Sequence, residues 1–191
     1  MIKYQIIWQN FLTEVLVMPN LFVIKSADCD PRKCTAERLI KNKILKIVKN
    51  VPKNSVILDP KAPMAFSKED SSSIDEYGLC VIDCSWKKLS SFAKININVK
   101  RRCLPFLVPI NPINYGKPGK LSTAEALTAA LYIIGKKDLA EKIINMFKWG
   151  PHFIPHNRKL LERYAKAKNS CEIITAQKEI LGENSVKILN S

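Results

Sequence analysis

The hydrophobic pattern changes character near residue 105. Before it, apolar residues come in short bare runs that end at polar positions: Leu21–Lys25, Ser55–Leu58 and Leu79–Ile82, with Phe106–Val108 just beyond Pro105. Runs of this length without polar alternation suit strands buried on both faces, as in a parallel sheet. From Thr35 to Val48 the apolar residues stand at 36, 39, 40, 44, 47 and 48, a helical period, although the second half also fits a strand. Trp86–Phe92 reads as a short helix. Strands and helices interleave, so this part is expected to be α/β.

After residue 105 the pattern is helical. Ser122-x-x-Glu125 is a capping box that opens a helix running to Ile134, where Gly135 stops it. Leu139, Ile143 and Phe147 mark a second helix. Asn157 is placed to cap a third, with Leu160, Leu161 and Tyr164 on its buried face. Ser170 is placed to cap a fourth that ends at Gly182. The stretch between the halves, Pro105 to Ser122, carries Pro105, Pro109, Pro112, Pro118, Gly116 and Gly119 together with Asn111, Asn114, Tyr115, Lys117 and Lys120. A loop so stiffened holds main-chain donors and acceptors at fixed positions, and its polar content favours a binding role over mere connection.

Composition changes the picture in one respect. With 31 Lys and Arg against 17 Asp and Glu, the net charge is +14, divided as +8 over residues 1–105 and +6 over the rest. A basic excess spread over both halves points to a folded face for a polyanion such as RNA, not to a polycationic tail. No apolar run is long enough to span a bilayer, and the N-terminal stretch, broken by Gln9, Asn10 and Glu14, does not read as a signal peptide. The six cysteines lack zinc-ribbon spacing and read as thiols of a reducing cytoplasm; no metal site is expected.

No glycine-rich phosphate fingerprint, Walker sequence or defensible Ser-His-Asp set is present. That inventory suits a cosubstrate that is already activated, such as a sulfonium, where binding and orientation supply most of the acceleration. Three strand-end segments are placed to build a site for one: Asp30-Pro-Arg-Lys-Cys-Thr35, Leu58-Asp59-Pro60 and Ile82-Asp83-Cys-Ser-Trp86. Each also has an ordinary reading, with Thr35 and Asp83 as helix caps and Trp86 as core. Their joint occurrence at strand ends, where α/β sheets bind ligands, favours the site.

These segments, followed by Asn111-Pro-Ile-Asn-Tyr-Gly-Lys-Pro118, Lys120-Leu-Ser-Thr-Ala-Glu-Ala126 and Phe147-Lys-Trp-Gly150, resemble the signatures of one family. It comprises the ribosome-biogenesis aminocarboxypropyltransferases of archaea and eukaryotes that act on small-subunit rRNA. The resemblance runs from Asn20 to Leu181, and the compact length resembles archaeal members. It implies an α/β, SPOUT-like N-terminal domain with a deep trefoil knot, followed by an all-α C-terminal domain. The expected boundaries are 1–19 for an N-terminal extension, 20–105 for the α/β domain and 106–191 for the helical domain, with an S-adenosylmethionine (SAM)-binding loop at 109–123.

The activity it implies is transfer of the 3-amino-3-carboxypropyl group of SAM to a pseudouridine, usually N1-methylated beforehand, with release of methylthioadenosine. A SPOUT-class RNA methyltransferase and a non-catalytic rRNA-binding assembly factor are the alternatives. Carried over by position, Thr35 would hold the donor's carboxylate, Asp83 its amino group and the Ile82 main chain its ribose. Leu58, Pro60, Trp86, Leu104, Leu121 and Ala126 would enclose the adenine, with main-chain contacts from Gly119, Lys120, Leu121 and Thr123. No general base is identified. Arg32, Lys33, Lys61, Arg101, Arg102, Lys117, Lys120 and Arg158 are the RNA-binding candidates. The expected partner is small-subunit rRNA or a pre-ribosomal subunit, met by a cytoplasmic monomer without a membrane.

Overall fold

The computed structural model describes residues 18–25, 34–84 and 99–189, with side chains of the last helix as far as Gly182. Its strands, β1 (Leu21–Lys25), β2 (Lys46–Ile47), β3 (Val56–Leu58), β4 (Leu79–Asp83) and β5 (Lys100–Arg102), form one sheet in the order β2-β1-β4-β3-β5. Every pairing is parallel, with Lys25 opposite Asp83 and Leu58 opposite Val81. Successive side chains point to opposite faces. Leu21, Val23, Val56, Leu58, Leu79 and Val81 enter the main core, whereas Ile57 and Cys80 join Val51 in a smaller cluster on the other face. Burial on both faces is why these strands carry no polar alternation.

The helices are α1 (Thr35–Lys41), α2 (Ser71–Tyr77), α3 (Thr123–Ile133), α4 (Lys137–Ile144), α5 (Phe153–Lys166) and α6 (Ser170–Leu189). Between Thr123 and Ile133 only Ala126 reaches the surface in part, so α3 is the apolar axle of the fold. It packs against α4, α5, α1 and β4, and its capping box between Ser122 and Glu125 is present as the sequence predicts. One core therefore joins the sheet to the helices.

Several expectations are corrected. The described residues establish an α/β fold on an open parallel sheet and give no evidence of a SPOUT-like trefoil knot. The motifs that suggested the knot specify side chains at strand ends, and such motifs do not dictate how the chain threads between them. Phe106–Val108 is not a strand; the neighbouring strand is the charged segment β5. Beyond Lys41 the Thr35–Val48 segment leaves the helix and supplies β2. Asn157 does not cap α5, which starts at Phe153, and Gly182 does not end α6, a tolerable cost of ~1 kcal/mol for glycine within a helix. The expected Trp86–Phe92 helix lies outside the described residues.

Candidate functional site

The chain leaves β1 toward β2 on one side and leaves β4 toward β5 on the other. The carboxyl ends of β1 and β4 thus flank a topological switch point, the usual position of a ligand crevice in an α/β sheet. Lys25 and Asp83 close the two strands there. Asp83 is 7% exposed. Its Oδ1 accepts a hydrogen bond from Thr123 Oγ1 at 2.9 Å, and its Oδ2 accepts one from Cys34 Sγ at 3.1 Å. Lys25 does not bond Asp83: it forms an ion pair with Glu37, which lifts the lysine pKa and holds the Glu37 carboxyl low.

Thr35 opens α1 beside this pair, and its Oγ1 accepts the Ala124 N–H at 3.3 Å. The hydroxyl hydrogen of Thr35 remains available to donate outward. Thr35, Asp83 and Thr123, three of the expected donor-site residues, are therefore brought together where α1, β4 and α3 meet. Cys34, the N-cap of α1, completes the junction and carried no role in the sequence reading.

The loop before α3 is fastened by one side chain. Glu125, fully buried, accepts through Oε1 from Ile110 N–H (2.7 Å) and Asn111 N–H (3.0 Å). Through Oε2 it accepts from Asn111 Nδ2 (2.6 Å), Ser122 N–H (2.8 Å) and Ser122 Oγ (2.8 Å). Asn111 in turn accepts the N–H groups of Ile113 and Asn114 on its Oδ1. The capping box signalled Glu125 as a helix cap; nothing local signalled that it grips residues fourteen and fifteen positions away.

The remaining expected site residues are distributed as follows. Leu58 is buried at the end of β3, while Pro60, Gly119 and Lys120 are exposed. Leu104, Leu121 and Ala126 are half-buried and pack against the main core. The Ile82 side chain joins the cluster on the opposite sheet face from Val81, which leaves its main chain beside Asp83. Trp86 lies outside the described residues. Of the RNA candidates, Lys61, Lys117, Lys120 and Arg158 are exposed, and Arg32 and Lys33 lie outside the described residues. Arg101 pairs with the buried Asp59, its Nε donating at 2.8 Å. Arg102 pairs with Asp70 at 2.9 Å and is 12% exposed. Burial raises the Asp70 pKa and the adjoining Arg102 offsets this in part, so that guanidinium serves the fold.

Among the described residues, no group of three His, Cys, Asp or Glu side chains is placed to hold a metal ion. No described helix is long and apolar enough to cross a membrane.

The chain matches the family described as ribosome biogenesis protein, C-terminal, over residues 56–181. It is 50% identical over 170 residues to the 16S rRNA aminocarboxypropyltransferase of Methanosphaera stadtmanae, covering 86% of this chain and 99% of that protein. It is 45% identical to the protein of the same name from Methanocaldococcus jannaschii, over 87% and 99% of the two chains. Among solved structures it resembles the SAM-dependent rRNA:acp-transferase Tsr3 from Vulcanisaeta distributa, at 39% identity and a TM-score of 0.79, covering 86% of this chain and 90% of that one. The likeness supports the α/β fold described above, and not a knotted SPOUT assignment.

Proposed function

This chain belongs to the ribosome biogenesis protein family, and we propose that it transfers the 3-amino-3-carboxypropyl group of SAM to a pseudouridine of small-subunit rRNA. The observation that carries the reading is the junction of Thr35, Asp83 and Thr123 at the switch point, in a chain matching rRNA aminocarboxypropyltransferases over nearly their whole length.

The residues present fit the donor. Asp83 is a buried carboxylate held by two neutral donors, which leaves it able to accept an ammonium group. The Thr35 oxygen accepts a main-chain N–H, which leaves its hydroxyl to act as the donor that a carboxylate needs. SAM supplies an activated carbon: the pseudouridine ring nitrogen would bond to the aminocarboxypropyl carbon attached to sulfur as that carbon–sulfur bond breaks, the methyl and adenosyl groups staying on sulfur. The bonding electrons leave on methylthioadenosine and the ring proton passes to water. The protein's contribution in this reading is orientation.

Leu58, Pro60, Trp86, Leu104, Leu121 and Ala126 form the adenine side of the site in this reading. The Ile82 main chain takes the ribose, and the main chain from Gly119 to Thr123, at the far end of the loop 109–123, meets the donor. Lys61, Lys117, Lys120 and Arg158 offer exposed charge to the RNA, with cytoplasmic small-subunit precursors as the natural source of acceptor.

The test is mass spectrometry of small-subunit rRNA after incubation with the protein and SAM labelled in its carboxyl carbon. Label in a pseudouridine nucleoside is expected. Methyl transfer would leave that carbon on the by-product, so a methylated nucleoside without label overturns the reading, as does unmodified rRNA.

A further inference from the structure

The loop between Pro109 and Ser122 is rigid from within. Asn114 N–H donates to Asn111 O (3.2 Å), Gly116 N–H to Pro109 O (3.1 Å), Lys117 N–H to Asn114 O (2.9 Å) and Gly119 N–H to Leu107 O (3.0 Å). Its base is gripped by the buried Glu125. On this fixed frame two large apolar side chains stand outward: Ile113 is 59% exposed and Tyr115 is 68% exposed. Tyr115 is the most exposed large hydrophobic residue among those described. Among the described residues, no aromatic ring stacks on Tyr115.

The electrostatic setting is one-sided. Lys117 and Lys120 follow, both exposed, and no Asp or Glu occurs in the sequence between Asp83 and Glu125. Gly116 (φ 67°) and Gly119 (φ 74°) turn the chain on either side of Lys117, and open space lies beside both. An exposed aromatic ring followed two and five residues on by exposed lysines is chemically complementary to an unpaired nucleobase and its flanking phosphates. A base in a duplex has both faces covered by its neighbours, whereas an unstacked base offers a π-face to an aromatic side chain. The same loop runs on into Thr123, which bonds Asp83.

We propose that Tyr115 is a stacking platform for an unpaired base of the RNA substrate, with Lys117 and Lys120 meeting the adjoining phosphates. The proposal rests on the transferase reading and deepens it, from RNA in general to single-stranded RNA at this loop.

The experiment compares the full chain with Tyr115→Ala and Tyr115→Trp. Each is titrated with a short oligouridylate and with an RNA duplex of the same length, and SAM affinity is measured as a check on the fold. Loss of one base–aromatic stack weakens binding roughly 5- to 100-fold. That loss is expected for Tyr115→Ala on the oligouridylate, with duplex and SAM binding within about twofold of the parent. Tyr115→Trp, which keeps a π-face, is expected to stay near the parent. In turnover, Tyr115→Ala should raise KM for 16S rRNA and leave KM for SAM unchanged. Equal losses on single strand and duplex, no loss on either, or no RNA binding by the parent would overturn the platform. A parent that binds oligouridylate through Tyr115 and yet modifies no rRNA would refute the transferase reading and not this one.

Discussion

Glu125 is the residue whose replacement should tell most about how the site is held. Glu125→Gln keeps the shape of the side chain and opens no cavity, so its effect is confined to hydrogen bonding. Five donor contacts converge on the carboxylate, three of them from main-chain N–H groups. Placing the new amide nitrogen at the Oε1 position sets it against the Ile110 and Asn111 N–H groups, neither of which can turn into an acceptor. At the Oε2 position it meets the Ser122 N–H and the Asn111 side-chain amide. That amide cannot flip without forfeiting the bonds from Ile113 and Asn114; only the Ser122 hydroxyl can rotate to accept. Either way one buried and one part-buried donor lose their partner, at ~1–3 kcal/mol each, so the variant should lose about 2–6 kcal/mol. Such a loss is a large part of the ~5–15 kcal/mol that typically holds a domain together. The loop should detach before the core unfolds, because α3 keeps its apolar contacts. Urea unfolding followed by circular dichroism, with SAM titration alongside, measures both parts. Ser122→Ala, which removes only the hydroxyl cap, should cost ~1 kcal/mol. A Glu125→Gln protein within about 1 kcal/mol of the parent, with unchanged SAM affinity, would refute the assignment of Glu125 as the fastener of the loop.

Asp83→Asn should weaken SAM binding roughly 10- to 100-fold, the value of a charge-assisted hydrogen bond, and leave methylthioadenosine, which has no ammonium group, bound as before. Parallel calorimetric titrations decide it, and equal losses for both ligands would contradict the role given to Asp83. Gly150→Ala should destabilise by ~1–3 kcal/mol or more, because a Cβ there would stand 1.8 Å from the Ile144 carbonyl oxygen, and backbone cannot yield as a side chain can; the urea midpoint reports it. Burial pushes the Cys80 thiol up from 9.0 to about 12 and the Tyr164 phenol from 10.0 to about 12. The unfolded chain releases these protons at lower pH, so between about pH 9 and pH 12 it binds fewer protons than the native state and stability falls as pH rises. The Cys80 share is on the order of 4 kcal/mol by the top of that window. Cys80→Val should flatten the decline in denaturant midpoint, and an unaltered slope would show that the thiol does not drive it.

What the sequence shows and what it hides follow from where side chains point. β1, β3 and β4 are legible because both their faces are buried, which forces bare apolar runs. β5 is hidden because it reads Lys-Arg-Arg, and its guanidinium groups are spent on Asp59 and Asp70 across long sequence gaps. Phe106–Val108 misleads for the opposite reason. It is apolar and buried in part, yet its main-chain groups are met by helix side chains: Phe106 N–H by Gln177, and Val108 N–H and C=O by Asn157. Two helices thereby do for this segment what a neighbouring strand would do, and local pattern carries no trace of it. Asn157 looks like a cap for the same reason, since the preference that places Asn at helix starts cannot reveal a distant partner. In the site, Thr35 and Asp83 are visible as polar residues at strand ends, whereas Cys34 and Glu125 become significant only once α1, β4 and α3 converge.

The buried acids differ in how their charge is met. Asp59, Asp70, Asp83 and Glu125 are the buried carboxyl groups among the described residues. Asp59 and Asp70 each face a guanidinium, and Glu125 is saturated by donors of its own loop. These three therefore have structural work that a ligand could only disrupt. Asp83 differs: its described hydrogen bonds come from a hydroxyl and a thiol, both neutral, and the lysine opposite it in the sheet is engaged with Glu37. The Lys25 charge is still felt there, since Asp83 adds to Glu37 in raising the Lys25 pKa. Among the described residues Asp83 is thus the buried carboxyl whose direct hydrogen-bond partners are uncharged, and in the transferase reading proposed above it is the one on which a ligand's ammonium group would add a contact instead of displacing one.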